Sequence, residues 1–228
     1  MQQLTLLFAM FLFSAIAHAG DKLYIAVASN FEHTLAQLRQ DFQALAPTTE
    51  IVVSAAASGS HFQQIRHGAP FDIFLSAEAD YPVKLDDQKP RLTYAYGKLS
   101  LASKEPIDID ALDTVILAIA NPAIAPYGTA AIDFLNTKGV TQRGPIGNSV
   151  GQTLGFLMSG SVDAALVSLS QRDLAPQFIW QPIAEQLYQP IKQVGILLND
   201  TPTSRTFWDY LQSQRAKDII SANGYGIE

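Results

Sequence analysis

Four short segments of the 228-residue chain concentrate hydrogen-bond donors where helices should begin. They are Ala28-Ser29-Asn30, Ala57-Ser58-Gly59-Ser60, Ala125-Pro126-Tyr127-Gly128-Thr129 and Gly147-Asn148-Ser149-Val150-Gly151. The first turn of a helix carries unbonded N–H groups and the positive end of the peptide dipole, so several such ends aimed at one point form an anion site. Ser and Asn add hydroxyl and amide donors, and glycine lets backbone come close. Any one of these segments, taken singly, is an ordinary helix cap. The set is distinctive because none of the four contains Lys, Arg, Asp or Glu. Neutral donors suit a fully ionised anion, whereas a protonated one such as hydrogen phosphate also needs an acceptor. About six to eight hydrogen bonds to a charge, each worth roughly 1.5–3 kcal/mol, can offset the desolvation of such an anion.

The fourth segment also spells G-x-S-x-G, the nucleophile-elbow pattern, which requires an acid and then a histidine after the serine. All four histidines (His18, His33, His61 and His67) precede Ser149. A secreted serine hydrolase using Ser149 is therefore a rival reading that lacks its triad. His61 and His67 bracket a short helix and are expected at the surface. Tyr94, Tyr96 and Tyr127 have the chemistry to stack on a ligand, although packing is the commoner use of such rings. There is no Walker A run, no H-E-x-x-H, no dinucleotide G-x-G-x-x-G and no metal-ligand run. With no Cys, disulfides, cysteine nucleophiles, thiolate metal sites and a lipobox are excluded. No cofactor is expected.

The segments must be positioned by a folded scaffold, and composition supplies one. At 48% hydrophobic and 16% charged, the chain can bury a core in one large domain or two modest ones. A net charge of −6 opposes a nucleic-acid partner. Leu4–Ala17 is an apolar run shorter than the roughly 20 residues a bilayer span needs. It precedes Ala17-His18-Ala19, an A-x-A cleavage site, so residues 1–19 read as a signal peptide, although Met1-Gln2-Gln3 lacks a basic residue.

Beyond it, apolar runs alternate with helical patterns, the α/β signature. Strands are expected at Leu23–Ala28, Ile51–Ala55, Phe71–Leu75, Tyr94–Ala102 (one long strand), Val115–Ala120, Ala164–Leu169 and Gln193–Leu198. Phe31, Leu35, Leu38, Phe42 and Leu45 mark one face of a helix, with Ser29 and Asn30 as its N-cap. Further helices are expected around Phe62 and Ile65, over Ala130–Lys138, from Val150 to Gly160 and over Phe207–Ile220. Asn121–Thr129 reads as a loop and Gly144–Ser149 as a turn. No repeat or flexible linker separates the parts, so two α/β lobes joined by strands are expected.

The runs Ile25-Ala26-Val27-Ala28-Ser29-Asn30-Phe31, Gly68-Ala69-Pro70-Phe71-Asp72-Ile73-Phe74-Leu75-Ser76-Ala77, Asn121-Pro122 through Ala125-Pro126-Tyr127-Gly128, and Asn148-Ser149-Val150-Gly151-Gln152 carry a resemblance. In order and spacing the chain resembles the periplasmic molybdate-binding proteins of molybdate ABC transporters, over nearly its whole length after the signal segment. The resemblance implies a two-lobed type II periplasmic-binding-protein fold: each lobe a mixed sheet flanked by helices, with the ligand cleft between them. The lobes would be 20–97 plus 190–228, and 98–189. It implies molybdate as ligand (tungstate with it), an ABC permease in the inner membrane as partner, a periplasmic location and no catalysis. Molybdenum would be held only as the oxyanion. Ser29 and Ser58 would give hydroxyls and backbone N–H, Asn30 a further donor, and Tyr127 and Val150 backbone N–H. Two departures stand out: Ala57 where many relatives have a serine, and Val167-Ser168-Leu169 where some have a ligand-binding tyrosine. A binding protein for another anion, such as sulfate or an organic carboxylate, is the alternative in the same class. A monomer is expected, since one open–close motion per chain needs no symmetry.

Overall fold

Mostly apolar strands of two to seven residues build two sheets, seen in a computed structural model that describes residues 22–141 and 144–228. The expected signal peptide, 1–19, lies outside the described residues. The first sheet has the order β2(Glu50–Ala56)-β1(Lys22–Ala28)-β3(Ile73–Ser76)-β10(Ile191–Leu197)-β4(Arg91–Gly97). The second runs β7(Ile146–Gly147)-β6(Leu117–Ala120)-β8(Ala164–Ser168)-β5(Leu99–Ser103)-β9(Ile179–Pro182). Both sheets are mixed. β1 is parallel to β2 and β3, while β10 is antiparallel to β3 and β4. In the second, β6 is parallel to β7 and β8, while β5 is antiparallel to β8 and β9.

Helices cover these sheets and bury separate cores. Phe31, Leu35, Leu38 and Phe42, on and just before α1(Glu32–Phe42), pack with Phe207 and Trp208 of α6(Pro202–Leu211) and Ile220 of α7(Gln214–Ala222) over the first sheet. Phe134 of α4(Pro126–Lys138), with Leu154 and Leu157 of α5(Val150–Met158), covers Ile119 and Leu166 of the second. α2(Ser58–Arg66) and α3(Asp80–Leu85) complete the first lobe. Among the described residues no helix is long and apolar enough to cross a membrane.

Register decides where the donor segments lie. Ala28 pairs with Ala56, so β1 and β2 finish side by side and release Ser29 and Ser58 at one edge. Ala120 pairs with Gly147 in the same way, which sets the starts of α4 and α5 together. Both edges are the carboxyl ends of parallel strands, the usual ligand side of such sheets.

Several expected elements differ. The single strand Tyr94–Ala102 is two: β4 pairs with β10 as far as Gly97, Lys98 crosses, and β5 pairs with β8 from Leu99. Tyr94, Ala95 and Gly97 are buried before the crossing and Leu99–Ser103 after it, so the two halves read as one strand with Lys98 a lone interruption. Ser29 and Asn30 do not cap α1. Phe31 stands at the N-cap without a side-chain bond, because Asn30's side chain is used elsewhere. α4 begins at Pro126, inside the expected loop, since proline suits a first helical position where no N–H is needed. The last helix breaks at Ser213, whose hydroxyl accepts from Ala216 N–H (3.2 Å) and starts a new one. His61, expected at the surface, has no exposure at all. It shares the buried face of α2 with Ser58 and Phe62, and its ring meets Phe71 and Phe74 edge-on.

Candidate functional site

Ser29, Asn30, Ser58, Tyr127 and Val150 line one small cavity, about 10 Å³, between the two sheets. Ala28, Ala57, Ala77, Ala125 and Pro126 form the rest of its wall, so no charged side chain lines it. The space accommodates about one water. Larger grooves adjoin it, but one sets Glu78, Asp80 and Asp133 against a single Lys192 and the other presents Glu32, so both carry a net negative wall.

The cavity's donors follow from helix geometry. Ser58 and Val150 are the first residues of α2 and α5, and Tyr127 is the second of α4. Their N–H groups, and that of Asn30 in the turn after β1, meet no acceptor among the described residues. Three helix dipoles thus end on the cavity with their positive ends. Ser29 departs from what the resemblance implies, because its N–H is already given to the Ala56 carbonyl (2.9 Å). Only its hydroxyl remains, and that oxygen accepts a long bond from Gly151 N–H (3.4 Å) across the cleft. Ser58 Oγ accepts from Ala77 N–H (2.9 Å), which leaves its own proton to donate. The available set is two hydroxyls and four backbone N–H groups.

Side chains that point away from the cavity build a buried polar layer beneath it. Asn30 Nδ2 donates to Gln193 Oε1 (3.1 Å) and to the Tyr225 hydroxyl (2.9 Å), so its amide is not a free donor. Gln193 sits where the β10–β4 register shifts, a bulge that re-aims its side chain toward Asn30, Tyr94 and Tyr127. Tyr127's hydroxyl accepts from Ser168 Oγ (2.8 Å) and Gln193 Nε2 (3.3 Å). Burial pushes the phenols of Tyr94 and Tyr127 well above their ordinary range, so both stay neutral. None of the three candidate stacking rings faces the cavity: Tyr94 donates to Ser76 O, and Tyr96 reaches Glu228 at the outer edge. Ser168 is fully buried, and its hydroxyl holds Tyr127 and not the cavity.

Sequence reasoning missed Ala77, Gln193, Ser170 and Tyr225. Each acts through a long-range contact without local periodicity. The buried Gln193 inside an apolar strand was the one available signal.

The hydrolase arrangement is absent from the described residues. Ser149 is the N-cap of α5 and its Oγ accepts from Gln152 N–H (3.2 Å). His33, His61 and His67 bond instead to Gln37, Gln64 and the Gln63 carbonyl. Among the described residues no cluster of three His, Asp or Glu could hold a metal ion.

Comparison with known proteins identifies the fold and the family. Residues 23–226 match the family described as bacterial extracellular solute-binding protein. The molybdate-binding protein ModA of Azotobacter vinelandii is 32% identical over 94% of this chain and 93% of its own length. The ModA of Rhodobacter capsulatus is 31% identical over 94% and 92%. The solved Azotobacter vinelandii periplasmic molybdate-binding protein superposes with a TM-score of 0.83 at 33% identity, covering 90% of this chain and 99% of that one. The fold is therefore the two-lobed type II periplasmic-binding-protein fold, and the role is binding, not catalysis. Matched from its first described strand almost to its last residue, the chain belongs to the bacterial extracellular solute-binding proteins, among the molybdate-binding relatives.

Proposed function

We propose that the protein captures molybdate, with tungstate as an equivalent ligand, in the uncharged cavity and delivers it to an ABC permease in the inner membrane. The observation that carries this reading is the convergence of unbonded N–H groups from both sheets on one space without a charged wall. The hydroxyls of Ser29 and Ser58 and the N–H groups of Asn30, Ser58, Tyr127 and Val150 are the ligand donors. At roughly 1.5–3 kcal/mol for each bond to a charge, six of them offset the cost of stripping water from a dianion. The names of the relatives support molybdate as that dianion.

The cavity as it stands holds about one water, so its wall yields locally around a tetrahedral oxyanion while the lobes stay closed on it. The expected moving units are 20–97 with 190–228, and 98–189, turning about the crossings at Lys98 and between β9 and β10. The protein works as a periplasmic monomer after removal of residues 1–19.

A thermal-melt panel of molybdate, tungstate, sulfate and phosphate on the mature protein tests the reading. A ligand at a hundred times its dissociation constant stabilises by about 2.7 kcal/mol. Molybdate and tungstate should raise the melting temperature, while phosphate, which keeps a proton and finds no carboxylate in the cavity to accept it, should not. Stabilisation by sulfate alone would replace molybdate with sulfate as the ligand.

A further inference from the structure

The C-terminal residues do not simply trail from α7. Gly224, at φ +84°, turns the chain, and Gly226 pairs with Tyr96 on β4 through two backbone bonds (2.8 and 2.9 Å). Between them Tyr225 is driven inward until only 3% of it is exposed, with its ring edge-on to Phe31. Its hydroxyl stands where the lobes meet beneath the cavity. It accepts from Asn30 Nδ2 (2.9 Å) and lies within bonding distance of both the Asn30 carbonyl (2.8 Å) and Ser170 Oγ (2.9 Å). Ser170 belongs to the other lobe, on the 3₁₀ turn Leu169–Leu174 that follows β8, and it too donates to the Asn30 carbonyl (2.9 Å).

We propose that Tyr225 is a positioning residue of the site: its hydroxyl fixes Asn30 at the cavity wall and, through Ser170, ties the lobes shut. Tyr225 is not part of the cavity wall, so it acts on the ligand only through Asn30 and through closure. Ser170 moves with the second lobe, so its bonds to Asn30 and Tyr225 exist only in the closed form. In the open form water replaces them. Their effect is therefore on the open–closed equilibrium, and the affinity of a closing protein scales with the fraction that is closed. All oxyanions should feel that factor equally, unlike a change in a donor that touches the ligand. The affinity arm of the test rests on the oxyanion reading above; the distance arm does not.

The chain has no cysteine, so spin labels can be placed cleanly at Gln63→Cys on α2 and Asn136→Cys on α4, both exposed. Distances are measured by pulsed electron resonance without anion, in the otherwise unaltered protein and with Tyr225→Phe or Ser170→Ala. Phenylalanine keeps the ring contact with Phe31, and alanine at 170 cuts the same tie from the other lobe. Both variants should shift the distribution toward longer distances. Both should weaken molybdate and tungstate by a common factor of about three to ten, the scale of one net hydrogen bond, with their ratio unchanged. Distributions identical to the parent in both variants overturn the proposal, as does a change in the ratio of the two anions. If no oxyanion binds the parent protein, the functional reading fails while the distances still decide the role of Tyr225.

Discussion

Gly59 N–H donates to the Ile124 carbonyl at 3.0 Å, a backbone bond that joins the first turn of α2 to the loop ahead of α4 across the cleft. A methyl group on Gly59 would lie 3.0 Å from Ile124 Cα and 2.9 Å from the Tyr81 hydroxyl. The tyrosine can swing aside, but the backbone of the opposite lobe cannot without opening. Gly59→Ala should therefore weaken oxyanion binding at least about tenfold, a loss of roughly 1.4 kcal/mol. The open protein should melt no lower, because alanine favours a helix over glycine by about 1 kcal/mol. Calorimetric titration alongside thermal melting separates the two effects.

Ser58 supplies both a hydroxyl and an N–H. Ser58→Ala keeps the second, removes the first and strands the Ala77 N–H that Ser58 Oγ now accepts. Binding should weaken by about 1–3 kcal/mol with the fold retained. An unaltered calorimetric affinity would count against the hydroxyl as a ligand donor.

His61 is fully buried, and burial lowers its pKa below the ordinary 6.5. Its Nδ1 meets Gln64, and this contact and the weaker pull of the Ser54 and Val27 backbone do not offset the burial. The folded state therefore holds the neutral ring, while the unfolded chain takes up a proton below about 6.5. Stability is present above that pH and declines as pH falls through the window beneath it. Glu78 works in the opposite sense, since burial raises its carboxyl above the ordinary 4.5 and favours the protonated folded form. Urea melts between pH 7.5 and 5 for the parent and His61→Leu isolate the histidine: the variant's profile should be flatter. Equal slopes would mean that His61 does not set the acid limit.

Ser149→Ala removes the N-cap of α5, which should cost about 1 kcal/mol of stability. The Val150 N–H stays in place, so oxyanion binding should persist, and parent and variant should be equally inert toward an ester substrate. Ester hydrolysis lost with the substitution would reinstate the hydrolase.

The strands and the four donor segments were legible because small neutral residues interrupt apolar runs, a purely local signal. The register that brings those segments together was not. Nothing in Leu23–Ala28 or Ile51–Ala55 states that Ala28 and Ala56 finish opposite each other. Asn30 shows the limit most clearly. Its type and place suggested a side-chain donor to the ligand, yet the amide is held by Gln193 and Tyr225, both more than 160 positions along the chain. His61 failed for a related reason, because its neighbours Gln63, Gln64 and Arg66 look exposed while the ring lies on the inner face of the same helix. The crossing at Lys98 went unread because Gly97-Lys98 is its only punctuation and buried residues resume at once on either side.

A cavity wall without charge, set in a molecule of net charge −6, also has a kinetic meaning. At long range the protein repels the anion that its short-range dipoles hold. Dissolved counterions shorten that repulsion to about 8 Å at physiological ionic strength and leave the desolvated contacts nearly untouched. Encounter thus quickens as the medium becomes saltier while release keeps its pace, the reverse of a trap built from lysines and arginines.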